Sequence, residues 1–382
     1  MTGATLRVCY FGTYRSEYSR NRILMEGLRR NGVRVIECHE QLWGGIEDRV
    51  ETVESGWKNP VFWWRVATVY ARLIRRYWQV RGSYDVLVVG YPGQLDVFLA
   101  RLLTWLDGKP LAWDIFMSIY LIALERGLDK KSRLGVGLLR RLEWLACRLP
   151  DRLIMDTAAY AAWFEKTHGV AASRFGLVPT GADDRLFYPA PPSANKSDRF
   201  TVLYYGTFIP NHGVQTIIEA AVLLADDPSL HFVLIGDGPD RPAAAALAAE
   251  KNLANVTFIG WLQPEEVRQH IADADICLGV FGTTPQSLMT VQNKIYECMA
   301  MGKPVLTGEG PAVMENFRHK EHLYFCKRQS PGALVDAIRA LHGDPRLRQK
   351  MAEQGNALFR QGYGLGPVGK RARSILERLR RP

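Results

Sequence analysis

Apolar positions along this chain fall into two alternating patterns: short uninterrupted runs, and longer stretches in which they recur at helical spacing. In the first half the short runs lie at 6–11, 33–38, 85–89, 110–113, 152–155 and 175–179. Between them, amphipathic patterns over 20–31, 92–106, 135–149 and 158–167 predict helices, with Gly32 and Gly169 as C-terminal stops. Short apolar runs alternating with helical stretches predict parallel strands joined by crossover helices.

A second series of similar size follows. Strands are expected at 201–205, 231–236, 256–260, 276–280 and 304–307, with helices at 214–224, 241–251, 264–273 and 331–341. The polar, proline-rich stretch over 189–198 separates the two series without periodicity of its own and reads as a linker. The pattern therefore predicts an α/β protein with a first domain over 1–190 and a second over 191–364. A last helical pattern, within 365–382, lies beyond the second sheet and is expected to pack back on the first domain.

Three strand ends in the second half run into glycine turns. They are Gly206-Thr207 after the first strand, Gly236-Asp237-Gly238 after the second, and Gly260-Trp261-Leu262 after the third. A glycine there lets a ligand come close to the backbone, and open α/β sheets bind ligands beyond the carboxyl ends of their strands. A fourth feature converges on the same edge. The segment Val291-Gln292-Asn293-Lys294-Ile295-Tyr296-Glu297 starts a short helix with Lys294 and Glu297 three apart. A cation and a carboxylate beside unpaired helix N–H groups suit a ligand with both phosphates and sugar hydroxyls. The same two residues also read as an ordinary ion pair on one helix face. A nicotinamide-dependent oxidoreductase would need a complete G-x-G-x-x-G turn, and Gly236-Asp237-Gly238-Pro239-Asp240-Arg241 lacks its third glycine.

In order and as a set, these motifs resemble the donor domain of GT-B glycosyltransferases, specifically family 4. The match runs from about Val202 to Leu341. The resemblance implies two facing Rossmann-like domains and a retaining transfer from a nucleotide diphosphate sugar, with no metal or other cofactor. It implies that Glu297 binds ribose hydroxyls, that main-chain amides of Val291, Gln292 and Asn293 hold the diphosphate, and that Gly260, Trp261 and Leu262 meet the base. Two departures stand out. Met289 occupies the position of the family's usual first glutamate. The cations usual in the first glycine turn are replaced by Thr207 or Phe208 and by His212. Developing charge on the leaving diphosphate needs a cation, so Lys294 is the first candidate and His212 the second. A catalytically degenerate GT-B sugar-nucleotide-binding protein is the competing reading.

In the first domain, Gly12, Tyr14, Arg20 and Arg22 lie at a strand end and helix start that face the cleft by position, where Arg20 and Arg22 are candidates to meet a phosphate of acceptor or donor; surface salt bridging is the alternative. Asp114 follows the fourth strand and is expected to accept a hydrogen bond or proton from the attacking hydroxyl; the alternative is a helix cap or a carboxylate at the edge of the core.

Charge and composition narrow the partners. Of 49 Lys+Arg and 39 Asp+Glu, residues 1–190 hold 27 and 20, a net +7, leaving 22 and 19, a net +3, for the rest. Residues 55–84 contain no acid and interleave Lys58, Arg65, Arg72, Arg75, Arg76 and Arg81 with Trp57, Trp63, Trp64 and other aromatics. Rings with cationic neighbours suit an anionic lipid surface; a buried aromatic face on a domain helix is the alternative. A nucleic-acid groove uses similar residues, but no nucleic-acid module accompanies them. The expected acceptor is thus a saccharide or lipid-linked saccharide. The first residues lead straight into a strand, so no signal peptide is expected, and no uncharged run reaches the ~20 residues of a membrane span. A cytoplasmic protein, peripheral at the inner face of the cell membrane, is the reading. The six cysteines lack metal-ligand spacing and are expected as buried thiols.

Overall fold

A computed structural model describes residues 5–42, 60–194 and 196–380. It contains two parallel six-stranded sheets. The first comprises β1 (Arg7–Gly12), β2 (Arg34–His39), β3 (Val86–Val89), β4 (Leu111–Asp114), β5 (Arg152–Met155) and β6 (Phe175–Leu177), ordered β2-β1-β3-β4-β5-β6. The second comprises β7 (Phe200–Tyr205), β8 (Leu230–Ile235), β9 (Val256–Ile259), β10 (Ile276–Leu278), β11 (Val305–Gly308) and β12 (Tyr324–Cys326), ordered β12-β11-β10-β7-β8-β9. Central strands such as Val86–Val89 and Phe200–Tyr205 are buried at every position. That is why they read as unbroken apolar runs: a parallel sheet is covered on both faces.

The chain divides into two compact units. One is Met1–Thr180 with Leu365–Pro382, the other Gly181–Gly364. The expected border at residue 190 therefore moves upstream. Ala182 and Phe187 already belong to the core of the second unit, with Val291, Ile295 and Met299. The proline-rich stretch is clipped to the same unit rather than free. Ser193 N–H donates to Asp273 at 2.6 Å, and Lys196 pairs with Asp275 at 2.8 Å.

The helix Leu365–Glu377 belongs to the first unit, where it crosses the helix Ser19–Arg30. The backbones meet at a pair of glycines: a Cβ on Gly369 would lie 1.9 Å from the Gly27 carbonyl oxygen. Leu365, Val368, Ala372 and Leu376 then complete the core over β1 and β3.

The helix Pro345–Gly362 and the strand β12 were not expected. Gly355 and Asn356 interrupt the helical pattern in the sequence, yet both have a task in the fold. Gly355 lets the helix approach the His322 carbonyl, and the Asn356 amide donates to the Met299 and Ala300 carbonyls at 2.9 and 2.8 Å. It thereby satisfies the end of the helix Asn293–Ala300, whose last carbonyls have no intrahelical partner.

Candidate functional site

In the second sheet the strand order reverses between β7 and β10, and the turns beyond their carboxyl ends meet there. Phe281 N–H, after β10, donates to the His212 carbonyl, after β7, at 2.9 Å. This is the topological switch point at which open α/β sheets bind ligands. The turn after β8 stacks on the same spot. Gly206 and Gly236 have φ of +132° and +124°, and a Cβ on Gly236 would lie 2.1 Å from the Gly206 carbonyl oxygen. Gly236 N–H in turn bonds Ile259 in β9. Three of the expected turns thus form one contiguous floor. Trp261 stands exposed at its far edge, beside exposed Gly260 and half-buried Leu262.

The helix Asn293–Ala300 points its first turn at this floor. Lys294 is 6% exposed, and a Cβ on Gly206 would lie 3.0 Å from its Nζ. The ammonium lies 4.0 Å above the centre of the Tyr204 ring, and among the described residues it has no hydrogen-bond partner. Burial lowers its pKa to about 7. A buried cation that rests on ring faces without a hydrogen bond is costly, even with Glu297 nearby to favour its charge, and an anion would complete it. The expected i,i+3 ion pair is therefore not how the structure uses Glu297. Its Oε2 accepts from the Tyr205 hydroxyl at 2.7 Å, so the carboxylate is oriented from the strand below.

His212 is not a second cation. Its Nδ1 lies 2.6 Å from the Thr207 carbonyl, to which it donates, and desolvation followed by the nearby Lys294 charge keeps its pKa well below the usual value. The ring is neutral at neutral pH. Val291 is buried in the core, while Gln292 and Asn293 are half-buried at the helix start. No side chain caps that end; Ile295 N–H turns back to the Gln292 carbonyl at 3.0 Å, and the Asn293 and Lys294 N–H groups have no such bond among the described residues. Met289 is buried at the end of the short helix Pro285–Met289, where the family's glutamate would stand.

Sequence reasoning missed Arg328. Its guanidinium donates to the Glu309 and Gly282 carbonyls at 2.5 and 2.7 Å and to the Ser287 hydroxyl at 2.9 Å. Ser287 in turn donates to the Asn211 carbonyl at 2.6 Å. One buried side chain thus ties the segments after β7, β10 and β11 around the switch point.

The first-unit expectations change more. Asp114 is fully buried, and both its oxygens accept from Arg20 at 2.8 Å; the remaining Arg20 nitrogen donates to the Val178 carbonyl at 2.7 Å. This forked pair braces β4 against the helix Ser19–Arg30, so neither residue faces a ligand. Tyr14 is core, edge-on to Tyr10, with its hydroxyl on Glu37. The turn at Gly12 closes on Asp96, which accepts from Thr13 N–H at 2.7 Å. Arg22 is half-buried on the same helix as Arg20.

The acid-free stretch forms the helix Pro60–Val80, docked through Val69, Leu73 and Tyr77. Trp63 and Trp64 are 52% and 74% exposed, and Arg75 is exposed. Arg72 and Arg76 share Glu40, at 3.0 and 2.5 Å, which reduces the local charge. Trp57 and Lys58 lie outside the described residues. All six cysteines are buried and free.

Comparison with known proteins agrees with this geometry. Residues 199–344 match the family model described as Glycosyl transferases group 1. Alpha-D-kanosaminyltransferase of Streptomyces kanamyceticus is 29% identical over 184 residues, covering 48% of this chain and 46% of that protein. The lipopolysaccharide core biosynthesis glycosyltransferase LpsD of Rhizobium meliloti is 28% identical over 262 residues, covering 66% and 70%. The crystal structure of Anabaena HepE in complex with UDP superposes with a TM-score of 0.70 at 14% identity, over 98% of this chain and 100% of that one. The fold is GT-B. Residues 199–344, within the second unit, are thus similar to glycosyl transferases group 1 domains, and the chain spans about half the length of the kanosaminyltransferase it matches.

Proposed function

We propose that the chain transfers a sugar, with retention, from a nucleoside diphosphate sugar to a saccharide or lipid-linked saccharide acceptor. The observation that carries this reading is the buried, unpartnered Lys294 ammonium under the Gly206 turn, one helical turn from the oriented Glu297 carboxylate. Lys294 and the N–H groups of the helix start meet the diphosphate, and Glu297 accepts the ribose hydroxyls. As the glycosidic bond breaks, charge grows on the leaving diphosphate beside a preformed cation, which lowers the barrier without reorganisation. Of the two cation candidates read from the sequence, neutral His212 leaves Lys294 as the one to meet the diphosphate charge.

The relatives guide the choice of substrates. HepE was crystallised with UDP, so uridine nucleotides are the first donors to try. The names of LpsD and the kanosaminyltransferase point to glycan and glycoside acceptors. Peripheral attachment to the inner face of the cell membrane, through Trp63, Trp64, Arg72, Arg75 and Arg76, would bring the protein to a lipid-linked acceptor.

Thermal shift across UDP-, GDP- and TDP-sugars tests the donor site, because a ligand of the native state raises its stability by mass action. One nucleotide class should raise Tm and its sugar conjugate should be turned over with an acceptor mixture. Binding without turnover would favour the degenerate sugar-nucleotide-binding protein; no shift with any nucleotide would remove both readings.

A further inference from the structure

Most exposed large apolar side chains of the first unit lie on three helices: Pro60–Val80, Asp96–Asp107 and Arg133–Ala146. Right-handed crossovers from β2 to β3, β3 to β4 and β4 to β5 set these helices side by side on one face of the sheet. The Tyr70 hydroxyl donates to Asp96, joining the first to the second. Arg101, on the second, donates to the Leu149 carbonyl just beyond the third.

Their outward residues are apolar or basic. Trp105 and Leu106 are 66% and 62% exposed, Leu134 and Leu138 90% and 67%. Leu134, Leu138, Arg141 and Leu145 form a single stripe along the third helix, and Arg133 and Arg140 flank it. Among the described residues of the three helices, the acids point inward. Asp96 and Glu143 are buried, and Asp107 accepts from Tyr77 and Arg81.

Between the second and third helices, at the amino edge of the sheet, lies a cavity of about 490 Å³. Arg101, Lys109, Arg148 and Arg174 line it, against the single carboxylate Asp151 among its lining residues. Asp151 is already bound to Arg101 at 3.0 Å, and the Arg101 Nε has no hydrogen-bond partner among the described residues. Trp105 stands at its rim, and Arg148 stacks on Trp144, 3.8 Å from its ring centre, continuing the apolar face.

We propose that this whole helical layer is a membrane-docking face, and that the cavity takes the phosphate of an anionic lipid headgroup. Exposed rings and leucines sit at headgroup depth while the surrounding cations meet the lipid charge. A second copy of the chain is a poorer occupant. A twofold contact would set this face against itself, bringing cations together with no outward acid to pair them. The inference deepens the peripheral attachment proposed above. It moves the centre of contact from the helix Pro60–Val80 to its two neighbours.

Flotation with phosphatidylcholine vesicles, with and without phosphatidylglycerol, tests it on three variants. Wild type should float with the phosphatidylglycerol vesicles. Leu134→Ser with Leu138→Ser and Trp105→Ser should lower the bound fraction on both vesicle types. Lys109→Glu should cut affinity roughly tenfold on the anionic vesicles only, since each basic residue near such a surface contributes appreciably. Trp63→Ser with Trp64→Ser should leave a substantial part of the binding. If the Trp63/Trp64 variant alone abolishes flotation while the others bind like wild type, attachment runs through one helix and this inference is overturned. If wild type floats with neither vesicle, both membrane statements fall. Unchanged thermal melts exclude misfolding, and a dimer by light scattering that Leu134→Ser with Leu138→Ser dissolves would assign the face to a second copy instead.

Discussion

At the scale of single residues, the proposed donor site rests on two side chains with opposite demands. Glu297 is held by Tyr205, and in the proposed site its carboxylate meets the ribose hydroxyls. Glu297→Ala should weaken nucleotide binding by about 1.5–3 kcal/mol for each charged hydrogen bond lost. Tyr205→Phe should cost less, because it frees the carboxylate without removing it. Calorimetric titration with the nucleotide identified by thermal shift separates the two, and unchanged affinity in folded Glu297→Ala would exclude the ribose role. Lys294 makes the opposite trade. Its folded pKa is depressed to about 7, below the unfolded value, so burial penalises the ammonium. The penalty is absent above the unfolded pKa and grows as pH falls from there toward 7, below which it is fully developed. Lys294→Met should therefore stabilise the free protein at neutral and lower pH, by up to a few kcal/mol at ~1.4 kcal/mol per pK unit. It should also weaken nucleoside diphosphate binding while leaving nucleoside binding nearly intact. In the wild type the diphosphate favours the charged amine, so affinity should fall as pH rises above about 7. Melting curves and titrations over a pH series check both signs; the same slope in Lys294→Met would assign it to another group.

At the scale of elements, the glycine turns and the helix Asn293–Ala300 are a frame held by groups that bind nothing themselves. Arg328→Met removes the donors to the Gly282 and Glu309 carbonyls and to Ser287. Each carbonyl left buried and unsatisfied costs about 1–3 kcal/mol, so chemical denaturation should show a clear loss of stability. Nucleotide affinity should fall with it as the segments around the switch point loosen. Arg328→Lys should recover only part, since a lysine cannot fork between carbonyls. A variant with wild-type stability and affinity would remove Arg328 from this role. The strands, the turns and the Lys294/Glu297 helix were legible because their signals are local: buried runs, a glycine at a strand end, an i,i+3 pair. Arg328 and Asn356 were not, because their partners are carbonyls far away in the chain. Asp114 stayed open between two readings for the same reason. Its position at a strand end suggested a ligand, whereas Arg20, distant in sequence, takes both its oxygens. His212 was named as a cation because sequence shows a histidine but not the desolvation that keeps it neutral.

At the scale of the whole molecule, the segment last in sequence stabilises the unit first in sequence. The helix Leu365–Glu377 supplies core residues over β1 and β3 and crosses the helix Ser19–Arg30 at backbone contact between Gly27 and Gly369. Polar ties fix the crossing, with the Asn31 amide donating to the Gly366 carbonyl at 2.9 Å and Arg373 to the Asn31 carbonyl at 2.7 Å. A side chain at Gly369 has nowhere to go, because backbone rather than a flexible side chain fills the space. Gly369→Leu should force the helices apart and cost the first unit more than the 1–3 kcal/mol typical of overpacking. The two core clusters of the second unit, one around Val291, Ile295 and Met299 and one around Val202, Ile217 and Leu334, do not use this helix. Calorimetry should then show an early transition for the first unit, while the second keeps its nucleotide-induced shift. Gly366→Ala, where nothing lies within contact of a new Cβ, should leave both transitions in place. If Gly369→Leu lowers stability and nucleotide affinity together in one transition, the two units unfold as a single body and the independence argued from their separate cores is wrong.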